Sequence, residues 1–172
     1  MSGPLEVLRR HHQDILQEVD ALEAAAEGID ANDPSASDEA LHRAVVFLRD
    51  DLRPHAVGEE HSLYPAAEAL LKEHGGAIAL LEIAHLYLDD AMARFAVDVN
   101  RLLDGNLTLL ERKDLVARIR RTAQGLKAVL SVHLREEEDV VFPLAEQHLS
   151  KEEQEEILRL MHEQRKSPDV GA

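Results

Sequence analysis

His55-Ala-Val-Gly-Glu59-Glu60-His61-Ser-Leu63-Tyr64-Pro65 and His133-Leu-Arg-Glu-Glu137-Glu138-Asp139-Val-Val141-Phe142-Pro143 are near-repeats of one another. In each, a glutamate follows a histidine by four residues, and residues four apart on an α-helix share a face about 5–6 Å apart. Each segment therefore offers an imidazole and a carboxylate to a common point, which is a metal-ligand geometry presented twice. A further histidine lies upstream of each motif: His12, ahead of Ile15 and Leu16, and His85, ahead of Leu88. The chain reads as two halves, each a His helix followed by a His-x-x-x-Glu helix. Repetition at this spacing suggests a duplicated helical hairpin about a pseudo-two-fold axis, with ligands arriving from all four helices.

A lone histidine on an apolar stripe is ordinarily a hydrogen-bonded core residue rather than a ligand. Four at one level are harder to account for in that way. Burying Glu59 and Glu137 uncompensated would cost on the order of several kcal/mol per charge. A cation offsets that cost; a buried His⁺/Glu⁻ network is the alternative. Four neutral imidazoles and two carboxylates suit a pair of first-row transition ions better than Ca²⁺ or Mg²⁺, which prefer all-oxygen shells. Iron or manganese is the natural guess for the pair, and zinc would be accepted in iron's absence. If Glu59 and Glu137 bridge them, His12 and His55 could serve one ion and His85 and His133 the other, or the grouping could be crossed. Each ion would hold two nitrogens, two carboxylate oxygens and a bridging oxide or hydroxide, leaving one position for O₂, NO or peroxide.

The elements that must carry these residues are helices. Pro4 suits a first helical turn, and Leu5, Leu8, His12, Ile15, Val19 and Leu22 then recur at spacings of three and four. Gly28 and the stretch from Asp30 to Ser37 end this helix, with Ser37 a candidate N-cap for the next. Leu41, Val45, Leu48, Leu52, His55, Glu59 and Ser62 or Leu63 form the second stripe. Pro54, just before His55, removes one helical hydrogen bond and is expected to kink or bulge this helix at the ligand. Gly75-Gly76 breaks the chain, and the third stripe runs Ile78, Leu81, His85, Leu88, Met92, Phe95, Val99, Leu102. After a turn at Asp104-Gly105-Asn106, Thr108 and Glu111 make a capping box for a fourth stripe of Leu115, Ile119, Thr122, Leu126, Leu130, His133, Glu137 and Val140. Ser150 with Glu153 caps a shorter fifth helix.

Long amphipathic helices with short connections predict an all-α, up-down-up-down antiparallel four-helix bundle over residues 1–148. A short additional C-terminal helix over 149–166 is appended to the same domain, and 167–172 form a frayed tail. In that arrangement early positions on the first and third helices meet late positions on the second and fourth, so all six ligands converge near one end.

The 172 residues are 45% hydrophobic, enough for one domain with a real core, and 3% aromatic with no Trp, which favours helices over strands. The net charge of −15 argues against contact with nucleic acid or an anionic membrane and favours cations. Absence of cysteine excludes disulfides and thiolate-held clusters and fits a reducing compartment. With no basic n-region followed by an apolar h-region, and no apolar run near 18 residues, a soluble cytoplasmic protein is expected, as monomer or weak homodimer with no known protein partner.

The order His, His-x-x-x-Glu, His, His-x-x-x-Glu, with Glu-Glu and a later aromatic-Pro in both paired motifs, resembles the hemerythrin-like (HHE cation-binding) family over Leu5 to Gln147. That resemblance implies a four-helix bundle holding a non-haem di-iron centre, with His12, His55, Glu59, His85, His133 and Glu137 as ligands. Oxygen-carrying members use five histidines, two of them four apart on the third helix; four residues from His85 this chain has Leu81 and Asp89. The departure favours turnover, sensing or NO chemistry over reversible O₂ carriage. The expected function is binding of O₂, NO or peroxide, with peroxide decomposition as the catalytic version. A non-enzymatic iron or oxygen sensor, or a metal store, is the rival, and exposure of Ile157, Leu160 and Met161 on the fifth helix would support it. Repair of iron–sulfur centres under nitrosative stress is a third reading, against which the lack of a cysteine-bearing N-terminal domain counts.

Around the six, Glu60 and Glu138 are read as acceptors for ligand N–H groups or as exposed charge. Tyr64 is read as a hydrogen-bond or redox group at the site or as a core aromatic. Asp89, His11, His42, His61, His148 and His162 are read as surface residues. His74 is read as a cation at a helix C-terminus.

Overall fold

The computed structural model describes residues 3–71 and 77–166. The break at Gly75-Gly76, His74 and the tail over 167–172 fall outside them. Every regular element among the described residues is helical: α1 (Glu6–Glu27), α2 (Asp38–Phe47), α3 (Arg53–His61), α4 (Leu63–Leu71), α5 (Ala77–Leu103), α6 (Leu109–Glu136), α7 (Phe142–His148) and α8 (Lys151–Lys166). None of the helices is long and apolar enough to cross a membrane.

Local chemistry sets the ends. Thr108 and Glu111 form the reciprocal capping box that starts α6, and Ser150 and Glu153 exchange the same pair of bonds ahead of α8. Gly105, at φ +82°, makes the turn between α5 and α6. Ser37 occupies the N-cap position of α2 but makes no side-chain cap bond, because a short 3₁₀ turn (Pro34–Ser37) leads directly into the helix. At the other end of α1, Arg120 reaches from α6 to the carbonyls of Ala26, Glu27 and Ile29, closing groups the helix terminus leaves open.

Two π-helical turns interrupt the long helices. Leu48–Leu52 separates α2 from α3 and Glu137–Val141 separates α6 from α7. In each, the residue that precedes a proline donates its N–H five residues back, Arg53 to Leu48 and Phe142 to Glu137. Pro54 and Pro143 lack the N–H that would continue the α ladder, and the wider turn is the local response. The expected bulge before His55 is present. A second lies at Glu137, where it places Val141 in the core and leaves Val140 45% exposed, against the stripe read from sequence.

Helix α6 lies antiparallel to α1, with Lys127 on Glu23 and Asp20, and antiparallel to α5, with His133 beside His85 and Arg118 on Asp98. α2 and α3 close the group against α1 and α5. Two apolar clusters result. The larger includes Ile15, Leu22, Leu52, Leu88, Phe95, Leu126 and Leu134. The smaller includes Leu5, Leu8, Leu63, Tyr64, Leu81, Val141, Phe142, Ile157 and Met161, and is built where α4, α7 and α8 extend the bundle. The candidate ligands of α1 and α5 fall between them along their helices: Leu8, His12, Ile15 on α1, and Leu81, His85, Leu88 on α5. The ligand layer is thus interior, covered by the smaller cluster rather than lying at an open bundle end.

Candidate metal centre

All six sequence-identified residues meet in that layer. His12, Glu59 and Glu137 are fully buried, and His55, His85 and His133 are at most 4% exposed. Their ligand atoms fall into two groups, His12–His55–Glu59 and Glu59–His85–His133–Glu137, within each of which all atoms lie within 4.8 Å of one another.

Both carboxylates face two ways. Glu59 Oε1 lies 3.0 Å from His55 Nε2 and 3.5 Å from His12 Nε2, while its Oε2 lies 3.5 Å from His85 Nε2. Glu137 Oε2 lies 3.6 Å from His12 Nε2, while its Oε1 lies 3.5 Å from His133 Nε2. One pole of the site therefore gathers His12, His55 and one oxygen of each glutamate, and the other gathers His85, His133 and the remaining two oxygens. This is the uncrossed grouping.

The donor set fits metal rather than a hydrogen-bonded core. His12 and His55 make no hydrogen bond through either ring nitrogen, nor does Glu59 through either oxygen or Glu137 through Oε2, though all are buried. Orphaned buried polar atoms are costly, and atoms that approach to 3.0–3.6 Å without hydrogen-bond geometry are aimed at common points rather than at one another. Chemically the set is mixed imidazole and carboxylate, as first-row transition ions take it.

The glutamates that follow the ligands cross between halves. Glu60, in the first half, accepts a hydrogen bond from His85 Nδ1 of the second at 2.8 Å. Glu138, in the second half, approaches His12 Nδ1 of the first at 3.3 Å. Both leave Nε2 as the inward nitrogen, the usual way an outer carboxylate fixes the tautomer and aim of a metal-ligating histidine. The sequence motif Glu-Glu offered this role; Glu60 fills it with a hydrogen bond, while Glu138 stands within ion-pair distance of His12 without one.

Tyr64 breaks the symmetry. Its hydroxyl donates to Glu137 Oε1 at 2.6 Å and lies 3.2 and 3.4 Å from the Nε2 atoms of His85 and His133. At the corresponding place in the second motif, Phe142 packs its ring 5.1 Å from that of His12 and brings no polar atom. Tyr64 serves both of its expected roles, since it is 1% exposed and part of the smaller apolar cluster.

The electrostatics of the layer are set by burial and by the charges the six side chains place on one another. Burial drives the Glu137 carboxyl well above its ordinary range, and the Glu59 charge beside it adds to this. Burial would do the same to Glu59, but His55 and contacts with His12 and His85 overcome it and hold that carboxyl well below its range. Burial also pushes His133 down to about 4, with His85, His55 and His12 adding to it against Glu59. His85 is raised despite burial, by Glu59 and Glu60. Two carboxylates in one dry pocket cannot both ionise without positive charge nearby, and here one keeps a proton.

Other histidines stand mostly where the sequence put them: His42, His61, His148 and His162 are exposed. His11 is the exception. Only 13% of its side chain is exposed; it sits 3.5 Å from Asp51 and edge-on to the His55 ring at 4.6 Å. A face one residue away from His12 would point outward on an isolated helix; here the neighbouring π turn brings Asp51 to meet it. Leu81 is buried in the smaller cluster, and Asp89 is exposed and paired with Arg53 at 3.8 Å, so neither adds a ligand beside His85.

A family model described as the hemerythrin HHE cation-binding domain matches residues 3–145. No curated protein and no solved structure matches the chain. The matched stretch contains all six ligand-type residues and both outer glutamates, and the chain belongs to the hemerythrin HHE cation-binding domain family.

Proposed function

We propose that this chain is a di-iron protein that binds O₂, NO or peroxide, with peroxide decomposition as its catalytic form. The observation that carries this reading is the two-way facing of Glu59 and Glu137, each with one oxygen toward each histidine pair. The scaffold on this reading is an up-down-up-down four-helix bundle over residues 1–148 with the helix over 149–166 appended. His12 and His55 would hold one iron, His85 and His133 the other, and Glu59 and Glu137 both; manganese or zinc could take the same places. Iron bound there supplies redox chemistry and a position for a small ligand.

The protein's part is arrangement. Glu60 aims the Nε2 atom of His85, and the charge of Glu138 lies beside Nδ1 of His12. Tyr64 holds Glu137 by one oxygen and leaves the other facing His12. The two apolar clusters keep bulk water from the layer and strengthen every charge interaction within it. The site's need for positive charge, and the net charge of −15, both favour cation uptake.

A sensor that signals through α8 would need that helix's apolar stripe free. Instead Ile157 and Met161 are 4% exposed and packed in the smaller cluster, with Leu160 half-buried beside them, and Met161 meets Gly58 of α3 closely enough that a Cβ there would stand 3.3 Å from its Cα. That packing favours the ligand-binding reading over signalling by a free helix. The test is metal analysis of protein expressed with added iron, with absorption spectra before and after O₂ and then peroxide. Two irons per chain, lost in His55→Ala and Glu137→Ala, are expected. Substoichiometric iron indifferent to those substitutions overturns the reading.

A further inference from the structure

Two cavities meet at Met92 and Asp89. The inner one, about 20 Å³, is lined by His55, Glu59, His85 and His133 together with Leu88 and Leu130 among others. That is room for about one water or one diatomic molecule. The outer one is an open groove of about 620 Å³ between α5 and the junction of α2 with its π turn, lined by Val45, Leu48, Arg53, Ala93 and Ala96 among others. Asp89 and Met92 line both. Asp89 is paired with Arg53 across the mouth of the groove and is more than half exposed. Met92, 7% exposed, is left as the apolar wall between outside and inside.

We propose that small neutral molecules reach the ligand layer through the α2–α5 groove, and that Met92 is the gate that selects them by size. This rests on the reading that the six side chains hold metal. Methionine is unbranched, with three rotatable bonds, so its thioether can swing aside without moving the backbone. The π turn at Leu48–Leu52 belongs to the groove's far wall and gives the inner cavity an opposing face at Leu52. Beyond Met92 the inner cavity sets the aliphatic side chains of Leu52, Leu88, Leu130 and Leu134 beside the candidate ligands, and at this size a charged visitor would have to shed its water to enter. At about 20 Å³ the inner cavity accepts O₂, NO or hydrogen peroxide and excludes a tert-butyl group.

Two arms test this. In the first, the full chain is prepared in zinc to avoid paramagnetic ions, and dissolved O₂ is used as a relaxation probe of the Leu88 and Leu130 methyl groups. Met92→Trp is expected to reduce the O₂ effect at both methyls several-fold while leaving exposed Leu110 unchanged. Ala93→Trp, which narrows the groove from the surface, is the second variant should Met92→Trp not fold, and is expected to act in the same direction. In the second arm, iron-loaded protein is mixed with hydrogen peroxide and with tert-butyl hydroperoxide, and the rate of spectral change is followed. Met92→Ala is expected to raise the ratio of the tert-butyl hydroperoxide rate to the hydrogen peroxide rate by about tenfold. Unchanged methyl relaxation in both Trp variants overturns the route. Loss in Ala93→Trp with none in a folded Met92→Trp overturns the gate, as does an unchanged rate ratio in Met92→Ala. Should iron fail to load even in the unaltered protein, the function proposed above falls, and the oxygen-relaxation arm alone decides for or against the gate.

Discussion

Glu59 is the one residue common to both ligand groups, so its loss should have a different consequence from loss of any single histidine. Glu59→Gln keeps the side-chain size but replaces one bridging oxygen with an N–H donor and removes the charge that both histidine pairs face. His12→Ala strips a ligand from one pole only. The size of the effect follows from mass action: an ion present at a thousandfold its dissociation constant stabilises the folded chain by about 4.1 kcal/mol. For a chain of this length each kcal/mol moves Tm by about 2–4 °C, so each ion should add about 8–16 °C. Thermal unfolding with and without Fe(II) under argon, alongside metal analysis, reads this directly. Comparing each variant with itself cancels the packing cost of altering a side chain that is fully buried. The unaltered chain should gain the two-ion shift, His12→Ala about half of it, and Glu59→Gln almost none. The metal-free Glu59→Gln protein should be less stable than the unaltered one at neutral pH, because the Glu59 carboxylate, held below its ordinary range by His55, His12 and His85, contributes stability there. Retention of two ions by Glu59→Gln would refute shared ligation, and complete loss of both ions from His12→Ala would refute separable poles.

Tyr64→Phe makes the two halves alike at this position; it should cost about 1–2 kcal/mol in metal-free denaturation, for the lost bond to a buried carboxyl, and shift the absorption bands of the loaded protein. Glu60→Gln should lower metal affinity by about 10–100-fold at the His85 pole, measured by competition with a chelator, with the fold intact by circular dichroism. Gly58→Leu, placed where a Cβ would stand 3.3 Å from the Met161 backbone, should destabilise by about 1–3 kcal/mol and expose α8 to limited proteolysis before the rest of the chain. The raised Glu137 carboxyl contributes stability that is fully present below its ordinary value of 4.5 and is lost as pH rises through its elevated folded value. The gap in Tm between metal-loaded and metal-free protein should therefore widen with rising pH, and a gap that narrows would count against Glu137 as a ligand.

The candidate ligands were legible because the helical period does the work: His12 between Leu8 and Ile15, or His85 between Leu81 and Leu88, faces inward with the apolar residues that flank it. Glu60 and Glu138 were half legible. Their place after each ligand suggested an outer role, but only the crossing of the two hairpins shows whose histidine each one meets. Pro54 announced the first π turn; Pro143 carries the same signal, yet an unbroken three-four stripe hid it, and Val140 was placed inside in error. His11 was misread because a helical wheel knows nothing of Asp51 on the next element. Met92, Leu88 and Leu130 read simply as core, since nothing in apolar spacing distinguishes a wall that lines a cavity from one that fills it.

Because Glu60 serves His85 and Glu138 approaches His12, neither hairpin completes the buried His/Glu cluster by itself. A hairpin on its own would have to find a second copy, and its occupancy by metal would rise and fall with its concentration in the cell. Joining the two in one chain turns that encounter into an intramolecular one, at an effective concentration that no longer depends on how much protein is present. The join also frees the copies to diverge: once the second hairpin is always present, one can keep a tyrosine at the centre while the other keeps a phenylalanine, an inequality that a symmetric pair of identical chains could not hold.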